Sequence, residues 1–182
     1  THLIHEMDYL FNGCTNLTTL DISSFETYNA KTMERMFSGC KNLTSVDLSS
    51  FNTGKVINMN RMFNECESLT SLDLSSFNTS MTGDMNYMFA SSGIKTLDIS
   101  NFNMTNVAEL YGPMFKDCQV TNVNGQNMIL ANKTINMFSG TGIQTLDLSN
   151  ANTQNVTNMS GMFSGCENLT DLDISGFNTS QV

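Results

Sequence analysis

Apolar residues follow two periods along this chain, one after the other, and the pair recurs seven times. Residues 17–22, 43–48 and 69–74 follow L-x-x-L-x-L, with Ile or Val standing for Leu at single positions. The last three positions alternate apolar, polar, apolar, as a strand with one buried face does. The same pattern returns at 94–99, 120–125, 143–148 and 169–174. An apolar anchor follows each copy, at Phe25, Phe51, Phe77, Phe102, Met128, Ala151 and Phe177, with Asn and Thr after it in most units. Those residues suit a turn and a helix start. Val56, Met59, Met62 and Phe63, or Val156, Met159, Met162 and Phe163, then place apolar side chains every third residue. That spacing predicts a short helical or 3-10 turn with one buried stripe. Gly13, Gly39, Gly140 and Gly165 lie two residues past the phenylalanine, where a positive φ would end the helix.

The phenylalanine that closes the Met-Phe pair falls at Phe11, Phe37, Phe63, Phe89, Phe115, Phe138 and Phe163, in steps of 26, 26, 26, 26, 23 and 25 residues. A unit this short cannot bury its apolar face alone and must stack on its neighbours. The expected fold is an α/β solenoid, a leucine-rich-repeat-like right-handed coil. A parallel β-sheet forms one face, with neighbouring coils about 4.8 Å apart, and short helical or 3-10 turns form the other. With no break in composition, residues 1–182 read as one domain of about seven units. The stretch from Phe102 to Phe138 is irregular. One extra residue and the only proline precede its Met-Phe pair, two residues are missing between Met128 and Met137, and its strand reads Val123-Asn124-Gly125. A tolerated insertion in a surface turn accounts for this, a dedicated site being the alternative, and either predicts a bend or loosening of the stack there.

Charge narrows the partners. Seventeen acidic against eight basic side chains leave −9, which repels phosphate backbones and anionic headgroups. Nucleic acid and membrane surface are therefore poor partners, and no apolar run has the length to insert in a bilayer. The first residues carry no basic-then-apolar leader pattern, and Phe177 to Val182 stop partway through a unit, so the array is expected to belong to something longer.

Five cysteines share one slot, three residues after the Met-Phe phenylalanine: Cys14, Cys40, Cys66, Cys118 and Cys166, with Ser92 and Thr141 in the other two units. A slot that accepts Cys, Ser or Thr selects a small side chain, so packing outweighs redox or metal roles and all five thiols are expected buried and reduced. The 14 methionines are phased inward and read as core filler, the alternative being a soft Met-rich groove.

The combination Leu-Asp-Leu-Ser-Ser-Phe-Asn-Thr with Asn-Met-Ser-Gly-Met-Phe-Ser-Gly-Cys-Glu-Asn-Leu, as in residues 158–169, resembles the BspA-like leucine-rich repeats of bacterial surface proteins and lipoproteins. It recurs over essentially the whole chain. The resemblance implies an extracellular, cell-surface array on a larger anchored protein, whose partners are host matrix glycoproteins or the surface proteins of other cells. Similar arrays also occur on some unicellular eukaryotes.

Between the two inward residues of each strand stands Asp21, Asp47, Asp73, Asp98, Asn124, Asp147 or Asp173. In a leucine-rich architecture that position points out of the sheet, giving a file of six carboxylates. Like charges about 5 Å apart repel by roughly 1 kcal/mol even in water, so compensation is needed. Hydroxyls at Thr19, Ser45, Ser71, Thr96 and Thr145, and at Ser23, Ser49, Ser75, Ser100 and Ser149, supply it in one reading. A cationic ligand supplies it in the other, either a basic protein patch or calcium, which is less favoured because each coil offers only one carboxylate. Catalysis finds no footing: His2 and His5 are the only imidazoles, and no nucleophile, phosphate-loop or metal motif stands out. No cofactor or metal site is expected. Sequons such as Asn78, Asn103, Asn155 and Asn178 arise readily in repeats rich in Asn, Ser and Thr. The expected function is a non-enzymatic adhesion or protein-protein interaction module. The alternative is a structural spacer that displays another domain and binds nothing itself.

Overall fold

The computed structural model describes residues 4–182. Six short strands form two parallel sheets. β1 (Thr19–Leu20) pairs with β2 (Ser45–Val46), and β3 (Thr96–Asp98), β4 (Asn122–Asn124), β5 (Thr145–Asp147) and β6 (Asp171–Asp173) pair in that order. Each strand lies in register with the equivalent residues of the next repeat, so Leu97, Val123, Leu146 and Leu172 form one column and Asp98, Asn124, Asp147 and Asp173 another. The third repeat joins through one bridge, Ser71 to Thr96. Parallel pairing follows from the repeat length, because each chain segment must travel round and return in the same direction.

The expected helical turns do not form; no α or 3-10 helix occurs among the described residues. The Met-Phe segment is instead a run of tight turns in which two residues take left-handed φ in every repeat but that of Phe115, which has one. Two before the phenylalanine, Tyr9, Arg35, Arg61, Tyr87, Asn136 and Gly161 have φ between 52 and 66°. Two after it, the slot contains Gly13, Gly39, Glu65, Ser91, Asp117, Gly140 and Gly165, again with positive φ. Left-handed residues four apart interrupt any right-handed helix. They also turn alternate amides outward along the stack. Arg35, Phe37 and Gly39 donate to the carbonyls of Asn60, Met62 and Asn64 at 2.9, 3.0 and 2.8 Å, while Ser38 and Cys40 close turns on Arg35 and Phe37 at 3.0 and 3.1 Å. An apolar residue every third position serves such turns as well as a helix.

That segment carries the core. The seven Met-Phe rings form one continuous stack, with centroids 5.3 to 6.0 Å apart and planes 4 to 17° from parallel. Phe37, Phe63, Phe89, Phe115 and Phe138 are wholly buried. Twelve of the 14 methionines are buried as well, leaving Met159 half-buried and Met81 exposed, so they fill the core.

Polar side chains complete the pairing between repeats. Buried Thr53 donates its hydroxyl to Asn78 O at 3.0 Å and accepts from Asn78 N at 2.8 Å, standing in for a strand neighbour. Thr27, Thr79 and Thr153 repeat this with Asn52, Asn103 and Asn178. Where the slot holds Met104 and Leu130, the backbones pair directly, through bridges joining Asn103, Ile129 and Asn152. The cysteine slot works similarly: Cys40, Cys66 and Cys166 donate to the carbonyls of Phe11, Phe37 and Phe138 at 3.1, 3.2 and 3.0 Å. Cys, Ser and Thr share a small donor, which is what the slot selects.

Two expectations need correction here. All five thiols are free, but only Cys40, Cys66 and Cys118 are buried; Cys166 is half-buried and Cys14 exposed, because the first repeat covers its slot from one side only. The irregular unit does not loosen the stack. β4 pairs on both sides, and Phe115 to Phe138 is the tightest ring contact, at 5.3 Å. The extra residue is absorbed by pushing Tyr111 outward to 81% exposure.

Phe63→Ala removes a ring stacked on both faces and should destabilise the protein by about 3 to 5 kcal/mol; a denaturant titration losing under ~1 kcal/mol would show that the stack is not core. Burial pushes the Cys66 thiol up to about 12 and raises Cys40 and Cys118. Alkylation of the folded protein should therefore modify Cys14 first, Cys166 more slowly, and those three at least ~100-fold more slowly than Cys14. Equal rates at Cys14 and Cys66 would contradict the packing.

Candidate functional site

Alternation along each strand turns the apolar column inward and two polar columns outward. Asp21, Asp47, Asp73, Asp98 and Asp173 are exposed and Asp147 is half-buried, with Asn124 in the same file. Beside them runs the column of Thr96, Asn122, Thr145 and Asp171. That column and Asp73, Asp98, Asn124, Asp147 and Asp173 line an open groove of about 1000 Å³ that crosses five repeats, from Ser71 to Asp173. Asp21 and Asp47, in the first two repeats, are exposed but do not line it.

Each carboxylate also has a local task. Asp21, Asp47, Asp73, Asp98, Asp147 and Asp173 accept the amide of the serine two residues on at 2.9 to 3.0 Å, closing an Asx turn where the chain leaves the strand. Asn124 does the same with Gln126 N at 3.2 Å and donates to Asp98 Oδ2 at 3.1 Å, which joins neighbouring repeats. The serine hydroxyl and then its amide hold Asp21, Asp47 and Asp173 below the usual carboxylate range; at Asp73 the amide contributes more than the hydroxyl. At Asp98 burial pushes upward, and Ser100 with Asn124 outweighs it. Geometrically the amide is the bond present in every copy, since only Ser23 Oγ reaches its carboxylate, at 2.7 Å. Backbone amides thus compensate the file where serine hydroxyls were expected to. The Thr and Ser column on the other side does not contribute: Thr145 Oγ1 donates instead to Asn122 Oδ1 at 3.0 Å.

His5 Nδ1 lies 3.1 Å from Asn29 O, and His2 lies outside the described residues. Among those residues no three His, Cys, Asp or Glu side chains converge in a group able to hold a metal.

A second surface escaped the sequence reading. The left-handed slot two residues before the phenylalanine presents Tyr9, Arg35, Arg61 and Tyr87 in successive repeats, with the Arg35 guanidinium 5.6 Å from the Tyr9 ring and that of Arg61 4.6 Å from Tyr87. Repeat alignment would have put these four in one column. What it could not show is that the column lies on the surface, since a helix was expected there.

Because the folded pKa values of Asp21, Asp47, Asp73, Asp98 and Asp173 lie below the unfolded value of about 4, their contribution is present above that pH and lost as pH falls through the folded values. The melting temperature should hold from pH 7 to about 5 and fall below about 4. In Asp21→Asn/Asp47→Asn/Asp73→Asn the turn acceptor remains, as at Asn124, and the acid fall should flatten. An unchanged acid profile would show that the file contributes nothing.

No curated protein and no solved structure matches the chain. One family does, over residues 5–128 and 113–182, which together take in nearly every repeat. On that match, and with the repeats stacked in parallel register, the chain belongs to the family described as Mycoplasma protein of unknown function, DUF285.

Proposed function

We propose that this chain is a segment of a BspA-like solenoid, displayed at a cell surface, and that it works without catalysis as an adhesion or protein-protein interaction module. The observation that carries the reading is the groove over the sheet. Five repeats contribute equivalent outward side chains to one continuous polar face, and its ionisable groups are all carboxylates. A face built by repetition suits an extended partner surface better than a small substrate. Complementarity selects a partner with a basic patch, a matrix glycoprotein or a surface protein of another cell, and disfavours nucleic acid and membrane. Calcium is the less favoured cation, because each repeat offers only one carboxylate to the file.

A structural spacer remains the second reading, because each Asp already serves its own turn and needs no ligand to explain it. Binding separates the two. The protein, passed over immobilised matrix glycoproteins or whole cells, should bind saturably in EDTA, and Asp73→Asn/Asp98→Asn/Asp147→Asn/Asp173→Asn should weaken binding at least about tenfold, or ~1.4 kcal/mol, with an unchanged fold. Absence of saturable binding in the parent protein would favour the spacer.

A further inference from the structure

We propose that the sheet groove takes an extended peptide with two basic side chains four residues apart and an uncharged polar side chain midway between them. The inference rests on the reading of the groove as a site for a basic partner and narrows that partner to a single chain. Charge is unevenly placed along the groove. No described Lys, Arg or His lines it, and its carboxylates are interrupted at β4, where the irregular repeat brings Asn122 and Asn124, with Gln126 in place of the serine found in the other repeats. Strand register sets Asn124 between Asp98 and Asp147. Asp73 and Asp98 thus make one anionic end, Asp147 and Asp173 the other, and carboxamides the centre.

A second departure from the repeat strengthens the β6 end. Asp171 stands in the column that holds Thr96, Asn122 and Thr145 elsewhere. The carboxylates of the file each close a turn, but the exposed Asp171 side chain makes no hydrogen bond or ion pair with any described residue. The fold needs no charge there, since the neighbouring strand has Thr145 at the paired position. The centre is open to hydrogen bonding as well. Asn122 Oδ1 accepts from Thr145 while its Nδ2 donates to no described residue, and Gln126 Nε2 reaches Ser149 Oγ at 3.4 Å while its Oε1 accepts from none. A cation over the centre would find Asp98 already accepting on both oxygens, from Ser100 N and Asn124 Nδ2.

Spacing sets the form of the ligand. The two outward columns are two residues apart on each strand, about 7 Å, so the groove is one chain wide. Coils about 4.8 Å apart put the middle of one carboxylate pair about 14 Å from the middle of the other, three coils on. In an extended peptide, residues i and i+4 point to the same side about 13 Å apart, with i+2 halfway. A lysine at each end then meets a carboxylate pair, and residue i+2 meets the carboxamides.

The peptides Ac-Lys-Thr-Asn-Thr-Lys-NH2 and Ac-Lys-Thr-Lys-Thr-Lys-NH2, titrated into the intact protein and followed by NMR, separate this site from general charge attraction. The first should bind saturably, shift the side-chain amide signals of Asn122, Asn124 and Gln126, and bind at least as tightly as the second despite its lower charge. Asn124→Asp restores the file residue and should reverse that order, favouring the second peptide by at least about threefold. Asp171→Thr installs the residue of the paired strand position and should weaken the first peptide by at least about threefold with an unchanged fold. Tighter binding of the second peptide to the parent protein, or indifference to both variants, would overturn the proposal. Absence of saturable peptide binding would overturn it too, while leaving the wider reading of the groove to its own test on glycoproteins and cells.

Discussion

Alternating hand in the Met-Phe segment is the constraint on which this architecture depends. Left-handed residues on either side of every Met-Phe phenylalanine except Phe115, where Pro113 takes the first slot, point alternate amides at the neighbouring repeat, so no unit can satisfy its own backbone. A unit removed from the stack would leave those amides and its phenylalanine uncovered together. Each hydrogen bond contributes only about 1 kcal/mol net, yet both demands are met by the same neighbour at the same spacing. The spacing is then copied everywhere else: the rings stack at 5.3 to 6.0 Å, and thiols and threonine hydroxyls span the remaining gaps.

The sequence made legible whatever is repeated and apolar. The strand columns, the phenylalanine column, the inward methionines and the outward Asp file all follow from period two and period 26, because burial enforces those positions in every copy. The backbone between Val56 and Phe63 was not legible, since three-residue spacing fits a helix and a chain of turns equally and φ leaves little trace in side-chain pattern. Glycine at 13, 39, 140 and 165 did mark one left-handed slot. Glu65, Ser91 and Asp117 hide the same slot behind ordinary residues. The threonine ladder was obscured for another reason: a threonine two residues after the anchor phenylalanine reads as a turn former, and only the structure shows Thr27, Thr53 and Thr79 buried.

Indels show how much freedom the stack leaves. The unit with Tyr111 and Pro113 gains a residue and then loses others, yet Phe115 and Phe138 keep their place in the stack. Length can change wherever the chain runs over the surface, provided that core columns stay in register. Met104 and Leu130 illustrate the compensation. Losing the threonine hydroxyl is tolerated because the backbones close up and pair directly.

The same logic bears on where binding can evolve in such an array. Side chains that face a neighbouring repeat are fixed by the neighbour, and those in the Asp file are partly fixed by the turn each closes. Their uniformity is therefore weak evidence of a ligand, since geometry alone would maintain an acceptor there, and Asn124 meets the geometric need without the charge. Six carboxylates where amides would serve still leave the charge itself unexplained by structure. The column of Tyr9, Arg35, Arg61 and Tyr87 presents the converse case. Its slot accepts glycine, as Gly161 shows, and its occupants differ between repeats. In a repeat protein, uniform positions report the scaffold. Positions that vary from repeat to repeat are the ones the scaffold leaves free to change.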